Sequence, residues 1–189
     1  MSALALSFAV IFAAEFGDKS QLMALAFAAR HGLRTVLGAI LLATALVHIV
    51  SVALGVVLGA TLPQRPIGFV AGLAFLGFGV WTLRGDSLDD DDEARAQRSG
   101  RSAFWLVFGS FMLAELGDKT MLATIALATD HGWFGTWLGS TLGMVAADGI
   151  AIAAGAATAR IIPPHVIQRT AAALFLAFGV WLCVEAVIA

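Results

Sequence analysis

Two six-residue stretches put charge where the chain is otherwise apolar: Glu15-Phe16-Gly17-Asp18-Lys19-Ser20 and Glu115-Leu116-Gly117-Asp118-Lys119-Thr120. Their residue types dictate the chemistry open to them. Carboxylate and hydroxyl oxygens are hard donors, the kind that Mg²⁺, Ca²⁺ and Mn²⁺ accept. On one continuous helix Glu15, Asp18 and Lys19 project from a single face, because residues three and four apart are neighbours. The same spacing aligns Glu115, Asp118 and Lys119. Two such helices facing one another would bring Glu15, Asp18, Glu115 and Asp118 together as metal ligands. Lys19 and Lys119 would compensate charge beside them, leaving a formal −2 that one divalent cation neutralises.

Both stretches fall near the middle of apolar segments, where an ionisable group facing lipid costs about 2.5–3.5 kcal/mol on the insertion scale. Six such groups would cost roughly 15–20 kcal/mol, so they must face each other or water. A plainer alternative is a buried ion-pair lock, Glu15 to Lys19 and Glu115 to Lys119. Four carboxylates exceed what a two-pair lock needs. Gly17 and Gly117 predict local unwinding or close backbone approach within these segments. Ser20 and Thr120 either add hydroxyl donors to the site or bond back to a carbonyl.

The elements that position these groups follow from hydropathy. Apolar residues make up 60% of the 189 and charged residues 13%, with a mean hydropathy of +0.91, a balance that spans of about 20 apolar residues explain and a soluble core of this size does not. Apolar stretches run over 3–29, 36–62, 67–83, 103–129, 133–159 and 166–189. They predict an all-α integral membrane protein with six transmembrane helices. The first stretch holds charge and has no basic segment before it, so it reads as a retained span and not a cleaved leader. The lone Cys183 excludes an internal disulfide and a cysteine zinc site. No basic run supports nucleic-acid binding, and no hydrolytic or zinc constellation supports an enzyme.

A shift of 100 residues lays the chain on itself: between 14–32 and 114–132, ten of nineteen positions are identical. The reading is a first three-helix repeat at 1–84, an acidic cytoplasmic linker at 85–102 containing Asp89 to Glu93, and a second three-helix repeat at 103–189. Three spans is an odd number, so the second copy enters the membrane inverted. Arg30, Arg34, Arg84, Arg95, Arg98, Arg101, Arg160 and Arg169 fall on one side and Arg65 on the other, which places both termini outside the cytoplasm. The repeat also exposes a broken equivalence. Position 48 holds His48 and position 148 holds Asp148, each inside a second helix, where a titratable group is an additional ligand, a proton site or, for His48, a packed histidine. His31 and His131, each before a glycine, read as helix C-cap residues. Gly55 with Gly59, and Gly135 with Gly139 and Gly143, have the spacing of close helix contacts.

The duplicated Glu-x-Gly-Asp-Lys-Ser/Thr motif, in two three-helix units joined by an acidic linker, resembles the Gdt family of cation/proton exchangers over nearly the whole chain. The short chain is similar to the bacterial manganese-exporter branch. That resemblance implies Mn²⁺ export, or Ca²⁺ transport, in exchange for protons across the bacterial inner (plasma) membrane. It implies no permanently bound cofactor, the cation being cargo, and Glu15, Asp18, Glu115 and Asp118 as cation ligands. Metal cations, protons and lipid are the expected partners, and a homo-oligomer is admitted. Two rivals stand beside this reading: a membrane factor that delivers metal to a partner, and a proton-coupled exporter of small organic solutes.

Overall fold

The computed structural model describes residues 2–61, 63–83, 103–155 and 164–188, and within them every regular element is an α-helix. In order these are α1 (Ala3–Glu15), α2 (Lys19–His31), α3 (Leu33–Thr61), α4 (Gln64–Thr82), α5 (Ala103–Glu115), α6 (Lys119–Ala128), α7 (Trp133–Gly155) and α8 (Pro164–Ile188). The acidic linker, with Arg84, Arg95, Arg98, Arg101 and Arg160, lies outside the described residues. All-helical structure is what an apolar solvent demands, since a helix satisfies its own backbone polar groups. Local signals set the ends. Ser2 caps α1 by accepting the Ala5 N–H at 3.3 Å. Gly32, at φ 82°, ends α2 with its N–H on the Ala28 carbonyl, and Pro164 opens α8 where a missing N–H costs nothing.

Six helices were expected and eight are found among the described residues, because the first and fourth apolar segments each break in two. α1 gives way to α2 between Glu15 and Lys19, and α5 to α6 between Glu115 and Lys119. The physical cause is the glycine of each motif. Gly17 and Gly117 adopt φ 78° and 82°, a left-handed geometry that L side chains disfavour and a continuing helix excludes. Of the two outcomes expected of these glycines, the chain takes unwinding.

α3 and α7, at 29 and 23 residues, are the helices long and apolar enough by themselves to cross a bilayer, rising roughly 44 and 35 Å against a hydrocarbon core of about 30 Å. On α3 the buried face sets Thr44, His48 and Ser51 among Val36, Ile40 and Val47, while Leu46, Val50, Leu54 and Val57 are exposed. Large apolar side chains turned outward, with the polar ones turned in, mark lipid as the surrounding medium.

Glycines let the backbones touch. A methyl on Gly139 would sit 2.3 Å from the Leu4 carbonyl oxygen, and one on Gly143 2.7 Å from that of Phe8. Residue numbers rise together along this seam, so α1 and α7 run parallel. Gly55 and Gly59 fit α3 in the same way against Ile125, Ala128 and Thr129 at the end of α6. The small-residue contacts expected of these glycines are therefore made. α4 and α8, which correspond under the 100-residue shift, pack antiparallel: Gly68 meets Ala186, Gly72 meets Cys183, and Gly79 meets Leu176. Phe75, Phe78, Phe175 and Phe178 interlock between them, with Phe75 and Phe178 edge to face at 4.8 Å.

Gly139→Ala should lower stability by about 1–3 kcal/mol, because rigid backbone opposes the new methyl. Gly77→Ala, whose methyl meets nothing within 4 Å, should be neutral or gain up to about 1 kcal/mol of helix propensity. Thermal unfolding of the two purified variants in detergent checks the contrast.

Candidate cation site at the two helix breaks

Each break delivers its carboxylates differently from a continuous helix. Glu15 is the last residue of α1 and Asp18 the N-cap of α2; Glu115 and Asp118 hold the same places at α5 and α6. The shared helix face expected from their spacing is thus replaced by a turn, with Asp18 N–H on the Glu15 carbonyl at 3.1 Å and Asp118 N–H on that of Glu115 at 3.3 Å. Glu15, Asp18 and Glu115 are buried at 0, 3 and 2% exposure, whereas Asp118 is half-buried.

The motif hydroxyls hold these carboxylates. Ser20 donates to Glu15 and, at 3.3 Å, to Asp18 Oδ2. Thr120 Oγ1 donates to Glu115 Oε2 at 2.8 Å and to Asp118 Oδ2 at 3.4 Å, and its N–H caps on Asp118 at 3.4 Å. Neither hydroxyl bonds back to a helix carbonyl; that bond is made by Thr124, onto the Thr120 oxygen at 2.8 Å. Ser20 and Thr120 therefore hold the acids in place from one turn away.

The lysines break the symmetry. Lys119 Nζ reaches across to Asp18 Oδ1 at 2.6 Å, an ion pair between the two halves, with both side chains under 10% exposed. Lys19 is half-buried, and among the described residues it makes no matching bridge to Asp118. The lock of Glu15 to Lys19 and Glu115 to Lys119 does not form, because the turn carries each lysine away from the glutamate four residues before it.

Asp148 and His48 are both buried in the interior, on α7 and α3. Glu15 lies within electrostatic reach of Glu115, Asp148 and Asp18, and Asp148 within reach of Asp18. Neither oxygen of Asp148 has a hydrogen-bond partner, nor has Glu15 Oε2. Thr141 Oγ1 lies 3.4 Å from His48 Nδ1. His131 bonds through Nδ1 to the Leu127 carbonyl at 3.1 Å, but the C-cap of α6 is Thr129 and that of α2 is Gly32, so neither His131 nor His31 is itself the cap residue expected. Among the described residues no three His, Cys, Asp or Glu side chains form a ready metal cage.

Gln21 is the residue that sequence reasoning missed. Its Oε1 accepts the Gly17 N–H at 2.9 Å and its Nε2 donates to the Ala147 carbonyl at 3.0 Å, tying the first break to α7 one residue before Asp148. The second break has Met121 there, whose sulfur takes the Gly117 N–H at 3.2 Å. The signal was available in the Gln21/Met121 mismatch within an otherwise matched repeat.

An apolar exterior around buried acids at two broken helices defines a helical membrane protein with ionisable groups held in its interior. The model of the divalent cation/proton antiporter family GDT1 matches residues 3–90 and 103–189, and the chain belongs to that family. A Vibrio cholerae serotype O1 protein named "Putative manganese exporter" is 35% identical over 179 residues, 93% of this chain and 88% of the relative. GDT1-like protein 4 of Oryza sativa subsp. indica is 29% identical over 92% of this chain and 70% of its own length. GDT1-like protein 3 of Arabidopsis thaliana is 27% identical, over 94% and 69%. No solved structure matches the chain. The family is one of cation/proton transporters.

Lys119→Met should destabilise the protein by about 3–5 kcal/mol by stranding a buried carboxylate. Lys119→Met combined with Asp18→Asn should recover most of that loss, and Lys19→Met alone should cost far less. Unfolding midpoints of the three proteins in detergent test the cross-pair.

Proposed function

We propose that the protein is a secondary transporter exporting a divalent cation, Mn²⁺ first and Ca²⁺ second, in exchange for protons. The observation that carries this reading is the burial of Glu15, Asp18, Glu115 and Asp148 in the interior of an apolar bundle, with three carboxylate oxygens, Glu15 Oε2 and both of Asp148, lacking a hydrogen-bond partner. Glu15, Asp18, Glu115 and Asp118 bind the cation. Asp148 is a further ligand or a proton site, His48 a proton relay, and Ser20 and Thr120 hold the acids. The printed name of the Vibrio cholerae relative supports manganese as cargo. Carboxylates must lose protons to bind metal, so protons and cation compete for one site, and that competition couples their movements. Metal affinity accordingly falls as pH falls.

The cross-pair occupies an acid assigned to the cation. Lys119 on Asp18 and a cation on Asp18 exclude one another, so loading requires the ammonium to withdraw. The transport cycle then alternates between Lys119 on Asp18 and cation on Asp18. α1 with α2 and α5 with α6 each cross the membrane as one interrupted span, giving six spans in two inverted repeats; the antiparallel α4 and α8 support this arrangement. Rocking of one repeat against the other exposes the site to each side in turn. The protein resides in the bacterial inner membrane with both termini outside the cytoplasm, and it needs no permanently bound cofactor.

Liposomes containing only this protein should accumulate Mn²⁺, and less strongly Ca²⁺, when a pH gradient is imposed. Asp118→Asn and Glu15→Gln should each abolish that flux. Full gradient-driven uptake by Asp118→Asn would remove the carboxylate assignment, and metal binding without flux in the parent would favour a delivery factor.

A further inference from the structure

The first break is fastened to α7 by a side chain outside the six-residue motif. Gln21 is buried; its Oε1 accepts the Gly17 N–H at 2.9 Å, and its Nε2 donates to the Ala147 carbonyl at 3.0 Å. Gly17 lies between Glu15 and Asp18, and Ala147 directly precedes Asp148. One planar amide therefore joins the turn that carries two of the acids to the turn of α7 that carries another. Ala147 and Asp148 are both fully buried, and neither oxygen of Asp148 has a hydrogen-bond partner.

The second half has the same frame without the link. Leu25 on α2 lies against Gly155 of α7, and Ile125 on α6 against Gly55 of α3, the same two positions in each half. Met121, in the place of Gln21, accepts the Gly117 N–H at 3.2 Å through its sulfur but has no N–H to give. The carbonyl that corresponds to that of Ala147 belongs to Val47, and it accepts the Ser51 hydroxyl from one turn along α3 at 2.8 Å. Position 151, which corresponds to Ser51, is Ala151. Each carbonyl thus has a side-chain donor, supplied on α3 by its own helix and on α7 from the break. A serine at 151 would satisfy the α7 carbonyl alone, as α3 shows. A glutamine reaching from α2 does so and also fixes a distance.

That distance matters because another tie on the first break is temporary. Lys119 holds Asp18 from the second half, and it leaves when a cation takes that carboxylate. Ser20 ties Glu15 and Asp18 to each other, and Gln21 ties their turn to α7. Groups standing behind a metal's ligands set the ligands' orientation and hence the affinity. We infer that Gln21 is a positioning residue that fixes Glu15 and Asp18 relative to Asp148, so that three acids from distant segments meet the cation as one preset group. Glu115 and Asp118 join that group from a break without such a strut. The inference rests on the cation-transport reading above and assigns Asp148 to the ligands.

The test compares the full chain with Gln21→Met, whose sulfur keeps for Gly17 the contact that Met121 makes with Gly117 and lacks the donor for Ala147. In liposomes, the Mn²⁺ concentration that half-saturates flux driven by a pH gradient should rise about ten-fold or more, the scale on which groups behind metal ligands act. Maximal flux should stay within about two-fold, because the loss falls on binding. Adding Ala151→Ser should return the unfolding midpoint in detergent toward the parent's and leave the half-saturating concentration raised. An unchanged half-saturating concentration in Gln21→Met would overturn the inference. So would its recovery with Ala151→Ser, since only the carbonyl would then need a donor. Gln21→Asn, one methylene shorter, cannot reach both ends and should show the same rise; the parent's value in that protein would overturn the inference even if Gln21→Met failed to fold. A parent whose flux ignores the pH gradient would overturn the exchange reading by itself. Calorimetric Mn²⁺ binding in detergent, weaker by the same factor in Gln21→Met, would then still decide the role of Gln21.

Discussion

Burying acids in an apolar bundle is the constraint from which most of this architecture follows. A carboxylate in such surroundings persists only if donors or countercharge reach it. A continuous helix spends its N–H groups on its own carbonyls and cannot supply them. Breaking the helix at Gly17 and Gly117 swings Ser20 and Thr120 back onto Glu15 and Glu115 and frees Asp18 to meet Lys119 from the other half. The broken segments must then be held from outside, and the unbroken α3 and α7 do so through glycines that admit neighbouring backbone directly. Site and scaffold are two consequences of one electrostatic requirement.

Within that scaffold the two halves share a frame and differ in chemistry. Gln21 hydrogen-bonds the first break to α7, whereas Met121 leaves the second break without such a strut. Lys119 is buried on Asp18 while Lys19 stands half-exposed. Asp148 stands at the position where the first half has His48. These differences leave one break braced against α7 and the other without that strut.

Much of this was legible in the residues themselves. Hydropathy gave the helical class, the 100-residue shift gave the repeat, and a glycine among charged residues pointed to unwinding. The break itself hid the rest. Apolar residues continue on either side of Glu15 to Asp18, so periodicity alone reads α1 and α2 as one helix and places Glu15 and Lys19 face to face. Which lysine meets which aspartate depends on how residues 101 positions apart are folded together, a tertiary fact with no local signature. Gln21 escaped notice because a polar residue beside a charged motif looks ordinary until the Ala147 carbonyl is found within reach.

The antiparallel meeting of α4 and α8 has a consequence for origin. When corresponding helices of two copies pack head to tail, each presents to the other the patch that the other presents to it, as in the isologous interface of a two-fold homodimer. Gly72 and Gly79 on one side and Ala172 and Gly179 on the other are the same two positions used twice. Such a surface recognises itself before any peptide joins the copies. Two copies of one ancestral unit could pair through it without a linker, and fusion then leaves Gln21, Lys119 and Asp148 free to diverge from their counterparts.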